Sequence, residues 1–187
     1  MSEIGTIQYR ANLPYPKINI TQPNEEYARL LMEDYCGAVS ELRAVLQYTY
    51  GSFVTDGYAD LKSALRNIGI VEMLHLELLS VAIIQLGGDP KFHTEDYPSE
   101  SYNCDDVVYV KTVNGIILAN IELESISIAN YRKHIAMIDD TQVNGLLERI
   151  ILDEEVHYDI LNKFYVKYTL SPRPTPPQPP ESNGTVG

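Results

Sequence analysis

The sequence predicts an all-α protein, an antiparallel bundle of four helices with one long crossover between the second and third helices. Three observations lead to this prediction. Apolar residues recur at three-to-four spacing along four long segments. The connections within each pair of helices are short, whereas the connection between the pairs is long and has no sustained period. Polar residues of the first half also recur at a constant distance in the second half, which indicates an internal repeat.

The first predicted helix begins at Asn24, a residue type that caps helix N-termini, and its apolar repeat continues to about Gly51. The second helix carries its repeat from Leu61 to Leu86 and stops at Gly87-Gly88, because glycine commonly ends helices. The crossover follows over residues 89–110, where Asp, Ser, Pro, Asn and Tyr are abundant.

The third helix is predicted at roughly residues 112–138 and the fourth at roughly 142–169, with Asp139-Asp140-Thr141 as turn and cap between them. The chain therefore divides into an extended N-terminal segment, residues 1–23, and the helical bundle, residues 24–169. Residues 170–187 are rich in proline and cannot build a core, so we expect a disordered tail there.

The composition narrows the possible partners. A formal net charge of −12 argues against binding to nucleic acid or to an anionic membrane, since both require a basic face. Small molecules and metal cations are the expected partners. Cys36 and Cys104 are the only cysteines, so the chain has no disulfide framework. Neither a signal-peptide pattern nor a run of about 18 apolar residues occurs, and we expect a cytoplasmic protein.

The chemistry of the chain is indicated by the phrase Glu-x-x-His, which occurs twice. One copy is formed by Glu72 and His75, and the other by Glu154 and His157. Residues three apart lie on the same face of a helix, so each copy can present a carboxylate and an imidazole to the bundle interior. This is the pattern of a dinuclear carboxylate metal site, in which the other two helices each add a glutamate.

The internal repeat selects those two glutamates. Glu41 lies on the apolar stripe of the first helix, whereas Glu33 has no counterpart in the second half. On the third helix Glu122 and Glu124 point about 200° apart, and only Glu124 fits the repeat. At offsets of 82 or 83 residues, Glu41, Tyr48, Glu72, His75 and Glu77 match Glu124, Tyr131, Glu154, His157 and Asp159.

The predicted cofactor is a pair of divalent metal ions. Four carboxylates in a bundle core carry four negative charges, which two divalent cations balance while the two imidazoles stay neutral. Mixed oxygen and nitrogen donors suit iron or manganese better than structural zinc. Two such metals can share a two-electron step, which makes hydrogen peroxide or dioxygen the expected substrate. The residues expected to orient the ligands are Tyr48, Tyr131, Glu77, Asp153 and Asp159.

Several motifs resemble the ferritin-like superfamily, and most closely its bacterial manganese catalase-like and bacterioferritin-like members, which include catalase-related spore-coat proteins. They are Ser40-Glu41-Leu42-x-Ala44-x-x-Gln47-Tyr48, Glu72-x-x-His75-Leu76-Glu77, Leu86-Gly87-Gly88-Asp89-Pro90 and Asp153-Glu154-Glu155-Val156-His157. The resemblance covers residues 15–164. It implies a di-manganese or di-iron centre with six ligands, Glu41, Glu72, His75, Glu124, Glu154 and His157, and at least a homodimer.

Further expectations concern single residues and the type of reaction. Met73 stands where bacterioferritins place a haem-ligating methionine, but we expect no haem and read Met73 as a packed core residue. We likewise expect His93 and His134 at the surface. The chain lacks a cysteine-rich electron-transfer domain, which favours peroxide dismutation or oxidation of ferrous iron over a reductase cycle. A structural role with a residual metal site is a third hypothesis.

Overall fold

Five α-helices form in the computed structural model, which describes residues 8–93 and 103–170. No β-strand occurs in those ranges. The described part of the chain is therefore all-α, as predicted. The helices are α1 (Glu25–Cys36), α2 (Glu41–Val54), α3 (Ala59–Gln85), α4 (Val113–Met137) and α5 (Thr141–Tyr165). A short 3₁₀ turn, Cys104–Asp106, precedes α4, and a π-helical turn, Val166–Leu170, follows α5.

The first predicted helix is divided into α1 and α2, which corrects the prediction of one continuous helix. The chain leaves the helix at Gly37, whose amide still bonds to the carbonyl of Glu33 at 3.0 Å. A Cβ on Gly37 would lie 2.6 Å from that oxygen, so the turn requires glycine. Ser40 then caps α2 by accepting a hydrogen bond from the amide of Arg43. The break places Glu41 in the first turn of α2.

The other helix ends follow the capping residues that the sequence provides. Asn24 accepts a hydrogen bond from the amide of Tyr27 at the start of α1. Thr112 caps α4 in the same way, and Asp140 accepts bonds from two amides at the start of α5. Gly87 follows α3 with a φ of +92°, a conformation that glycine adopts at little cost.

Two apolar clusters fill the bundle, one toward each end. On α3 the first cluster contains Leu61, Leu65 and Ile68, and the second contains Leu79 and Ile83. Helix α5 runs antiparallel to α3, so the order is reversed along it. Residues 160–164 pack in the first cluster and residues 146–151 in the second. Between the clusters, at residues 72–75 and 154–157, both helices carry buried polar side chains. The centre of the bundle is therefore polar and the ends are apolar.

Helix α3 is long and apolar enough to cross a membrane by length and composition alone, which is weak evidence because core helices of soluble proteins pass the same test. Its packing against α1 and α2 and the buried polar residues at its middle fit a core helix. The predicted tail and much of the predicted crossover, residues 171–187 and 94–102, lie outside the described residues, as do residues 1–7.

Candidate metal centre

The six side chains expected to bind metal meet between the two apolar clusters. Each side chain is at most 3% exposed, although four of them are carboxylates. Glu41 comes from α2, Glu124 from α4, and the two Glu-x-x-His pairs come from α3 and α5. Burial of so many ionisable groups is costly unless opposite charges lie among them.

Around His75, three carboxylates face the ring nitrogen Nδ1. The distances from this atom are 3.6 Å to Glu41 Oε2, 3.2 Å to Glu72 Oε2 and 3.1 Å to Glu154 Oε1. One ring nitrogen carries at most one proton, so it cannot hydrogen-bond well to all three groups.

Around His157 the arrangement is equivalent, with Glu124 in the place of Glu41. Its Nδ1 lies 2.9 Å from Glu72 Oε1, 3.2 Å from Glu154 Oε2 and 3.9 Å from Glu124 Oε1. Glu72 and Glu154 therefore each direct one oxygen toward His75 and the other toward His157. The remaining two glutamates each face one histidine only.

These contacts define two donor groups that share two carboxylates. The first group contains Glu41, Glu72, His75 and Glu154, and the second contains Glu72, Glu124, Glu154 and His157. Within each group the donor atoms all lie within 4.8 Å of one another. The shared residues, Glu72 and Glu154, have the geometry of bridging ligands, and the glutamates of α2 and α4 that of terminal ligands.

The donor set fits a pair of divalent cations. Buried oxygens of Glu41, Glu72 and Glu154 accept no hydrogen bond in the described part of the chain, although a native protein rarely leaves such atoms without a partner. Two divalent cations would supply those partners and balance the four carboxylates. The chemistry of the residues present therefore matches a dinuclear site.

Two of the four carboxylates, those of Glu41 and Glu124, hold a proton more tightly than a free carboxyl group does. Burial raises the pKa of Glu41 well above its usual range, and the neighbouring charge of Glu72 adds to the effect. Burial, followed by Glu154 and Glu72, does the same to the pKa of Glu124. For His157, burial lowers the pKa, but the charge of Glu72 and hydrogen bonds to Glu154 outweigh it and raise the pKa to about 10. Metal binding must displace such protons.

Each terminal glutamate is held by a tyrosine from the other half of the chain. Tyr48 of α2 donates a hydrogen bond to Glu124 of α4, and Tyr131 of α4 donates one to Glu41 of α2. Both rings are at most 1% exposed. Tyr48 can pack closely on α3 because a Cβ on Gly69 would lie only 3.2 Å from the Cβ of Tyr48. The structure thus brings both predicted tyrosines to the terminal carboxylates.

The outer nitrogens of the two histidines have different partners. Nε2 of His75 lies 3.1 Å from Asp153 Oδ2, whereas Nε2 of His157 lies 2.8 Å from the carbonyl oxygen of Tyr9. A carbonyl only accepts, so Nε2 of His157 carries a proton, and Nδ1 is the nitrogen that would bind metal once its own proton is displaced. Despite burial, hydrogen bonds from His75, Tyr15 and other groups lower the pKa of Asp153 to about 2.

Two predicted supporting residues do not reach the centre. Glu77 and Asp159 are exposed. Each stands two positions after a candidate histidine ligand, which turns it about 200° around the helix and away from the site. Both lie on the outer faces of their helices. Glu122 is also exposed, in agreement with its rejection as a ligand.

Two other predictions are corrected. Met73 is 58% exposed, so it is not a core residue. His134, expected at the surface, is 1% exposed, and its Nδ1 lies 2.7 Å from Oδ2 of the buried Asp34. Nothing in the spacing of α1 and α4 indicated that these two residues meet.

Sequence reasoning also missed the groups that hold Asp153. These are Arg149, one turn earlier on α5, and the N-terminal residues Ala11 and Tyr15. Arg149 could have been suspected, because it lies four residues before an aspartate on the same helix face. The N-terminal partners are separated by more than a hundred residues and gave no signal.

A family model for manganese-containing catalases matches residues 8–116, more than half of the chain. The chain belongs to the manganese-containing catalase family. The matched region contains one complete Glu-x-x-His pair and the terminal ligand candidate Glu41.

Known proteins resemble the chain in sequence and in fold. A probable manganese catalase from Clostridium acetobutylicum is 24% identical over 164 residues, which cover 75% of this chain and 71% of that protein. The crystal structure of a manganese catalase from Anabaena superposes with a TM-score of 0.76 at 24% identity, covering 93% of this chain and 87% of that one. Mycobacterium tuberculosis bacterioferritin gives a TM-score of 0.65 at 28% identity, covering 76% and 85%.

These similarities confirm the ferritin-like fold class. With the two donor groups, family membership describes a catalase-like protein built for a dinuclear metal centre. It also supports the cofactor expected from the sequence, two divalent ions of manganese or iron per subunit.

Proposed function

We propose that this protein is a dinuclear manganese enzyme that converts two molecules of hydrogen peroxide into two of water and one of dioxygen. One observation carries the proposal: two donor groups share Glu72 and Glu154, so that two metals would lie side by side under common carboxylates. Membership of the manganese-containing catalase family supports manganese over iron.

The proposed ligands are the six residues at the centre. Glu72 and Glu154 would bridge the metals, while Glu41 with His75 and Glu124 with His157 would complete the two positions. When bound, the two metals supply a reversible two-electron couple, which lets peroxide act as the oxidant in one half of the cycle and the reductant in the other.

The protein's own residues prepare the site for this chemistry. The tyrosines fix one oxygen of each terminal carboxylate, which leaves Glu41 Oε2 without a hydrogen bond and directed at the centre. Protons held on Nε2 of both histidines leave Nδ1 available to the metals. The apolar clusters on either side limit water around the carboxylates, so their charges act in a medium of low polarity.

Oxygen release from peroxide by the metal-loaded protein tests the proposal. The protein loaded with manganese should produce oxygen without any added reductant, and Glu124→Gln should lower the rate by at least about 100-fold. The matched control is Glu122→Gln, which changes an exposed glutamate two residues away and should leave the rate unchanged. A fully manganese-loaded protein that releases no oxygen would refute the proposal.

A ferroxidase is the second candidate, because the fold also matches a bacterioferritin over 85% of that chain. In that case the iron-loaded protein would oxidise added ferrous iron rapidly and retain many irons per subunit. Comparison of iron oxidation and peroxide decay in the same preparation distinguishes the two activities. A purely structural protein would show neither, although chelation of its metal would still lower its thermal stability.

The homodimer or higher oligomer and the cytoplasmic location also belong to the proposal, as does the division into an N-terminal segment, a bundle over residues 24–169 and a tail. Sedimentation velocity tests the first of these. A monomer in the metal-loaded state would contradict it.

A further inference from the structure

We infer that the N-terminal strap, residues Tyr9 to Tyr15, is part of the metal site and orients both histidine ligands from outside the bundle. The inference rests on the proposed metal binding. It assigns a positioning role to a segment that contains none of the six ligands.

The strap contacts one histidine directly. The carbonyl oxygen of Tyr9 lies 2.8 Å from Nε2 of His157, which is fully buried. This hydrogen bond fixes the tautomer and the rotation of the ring, so that Nδ1 faces Glu72, Glu124 and Glu154. Within the described residues this nitrogen has no other hydrogen-bond partner.

The other histidine is held through Asp153. This carboxylate accepts from the amide of Ala11 at 2.7 Å with one oxygen, and from the hydroxyl of Tyr15 with the other. Its second oxygen also lies 3.1 Å from Nε2 of His75. Two strap residues therefore determine where the buried carboxylate stands, and the carboxylate determines how His75 is turned.

Arg149 attaches the strap to α5. Its guanidinium donates to the carbonyls of Ala11 and Leu13 at 2.8–3.0 Å and to Asp153 at 2.6 Å. The same group lies 4.2 Å from the centre of the Tyr15 ring, a distance that suits a cation–π contact. Arg149 is 5% exposed, so this attachment is shielded from water. These contacts hold the strap in a defined position against α5.

The consequence is a different support for each metal position. His157 donates to a neutral carbonyl of the strap, whereas His75 donates to a carboxylate that the strap holds. Removal of the strap should disturb both positions, but loss of the Asp153 charge should disturb only the position of His75.

Manganese binding to the metal-free protein tests the inference, with affinities measured by competition with a chelator. In Asp153→Asn one of two equivalents should bind about 10–100-fold more weakly, and Tyr15→Phe should weaken the same equivalent by about 10-fold. A chain without residues 1–15 should bind both equivalents more weakly. The control is Gln142→Ala, which releases the backbone of Asn19 beyond the strap and should leave both affinities unchanged.

Thermal unfolding of the same metal-free variants separates positioning from general stabilisation. If Tyr15→Phe and the shortened chain melt earlier but bind manganese as tightly as the wild type, the strap is only structural and the inference is wrong. Absence of manganese and iron binding by the wild-type protein would overturn both this inference and the proposed function. Full binding without oxygen release would refute the peroxide activity alone.

Discussion

The two halves of the bundle supply equivalent candidate ligands but support them differently. In the first half, α2 and α3 contribute Glu41, Glu72 and His75, and in the second half α4 and α5 contribute their counterparts. The tyrosine bonds are also exchanged symmetrically between the halves. Beyond the candidate ligands and the two tyrosines the halves differ, because one histidine has a carboxylate partner and the other a backbone carbonyl.

The difference shows that the repeat covers the candidate ligands and their two tyrosines but not the groups that hold the histidines. At the offset of 82 residues, Asp153 corresponds to Val71, which cannot accept a hydrogen bond. The first pair of helices is also interrupted before Glu41, whereas α4 runs unbroken through Glu124. The candidate ligands and their two tyrosines are equivalent in the two halves, whereas the partners of the histidines are not.

The largest expected effect distinguishes bridging from terminal glutamates. Glu72→Gln or Glu154→Gln should abolish tight binding at both positions, whereas Glu41→Gln or Glu124→Gln should abolish it at one. At metal concentrations 100-fold above Kd, each site adds about 2.7 kcal/mol to the free energy of unfolding. The bridging variants should therefore lose about 5 kcal/mol of metal-dependent stability and the terminal variants about half of that, as measured by thermal unfolding with and without manganese.

This prediction can fail in a clear way. If a terminal variant loses as much metal-dependent stability as a bridging one, the two positions bind cooperatively. The two donor groups would then not act as independent metal-binding positions.

A smaller effect is expected for the two tyrosines. Tyr48→Phe removes one hydrogen bond from Glu124 and Tyr131→Phe removes one from Glu41, with little change in volume. Each should weaken manganese binding by about 10-fold, and each at a different position. Chelator competition on the single and double variants checks this. If both substitutions weakened the same equivalent, the exchange of tyrosines between the halves would have no functional meaning.

The smallest effect concerns a pair that the other half lacks. His134 of α4 contacts Asp34 of α1 at 2.7 Å and Glu33 at 3.3 Å, with Lys133 beside Glu33, while the positions equivalent to His134 and Asp34 are Gly51 and Ile117. Burial lowers the pKa of His134, but the Asp34 carboxylate outweighs it and raises the pKa above its usual value. Burial also raises the pKa of Asp34.

A raised pKa means that the folded state binds the proton more tightly than the unfolded state. The contribution of His134 to stability is therefore complete below about pH 6.5, the unfolded value, and is lost as the pH rises through the folded pKa. In metal-free protein, His134→Gln should cost about 1–2 kcal/mol more at pH 6 than at pH 9. Denaturant unfolding at the two pH values measures the difference, and an equal cost at both would show that the pair carries no charge.

Much of the fold could be predicted because helix ends and helix faces are local properties. Asn24, Thr112 and Asp140 cap their helices through residues two or three positions away, and the apolar spacing of α3 and α5 records which face is buried. The interruption at Gly37 was missed because the apolar repeat resumes in α2. An apolar pattern alone does not distinguish one long helix from two short ones.

By itself, the sequence determined the six candidate ligands and their pairing. The spacing of three residues on a helix and the repeat of 82 or 83 residues can be read directly from the sequence. Only the tertiary structure decided what surrounds them. The hydrogen bond from His157 to Tyr9 joins residues 148 positions apart, and that between His134 and Asp34 joins residues 100 apart. Such contacts depend on how helices and strap pack together, and no local spacing encodes that packing.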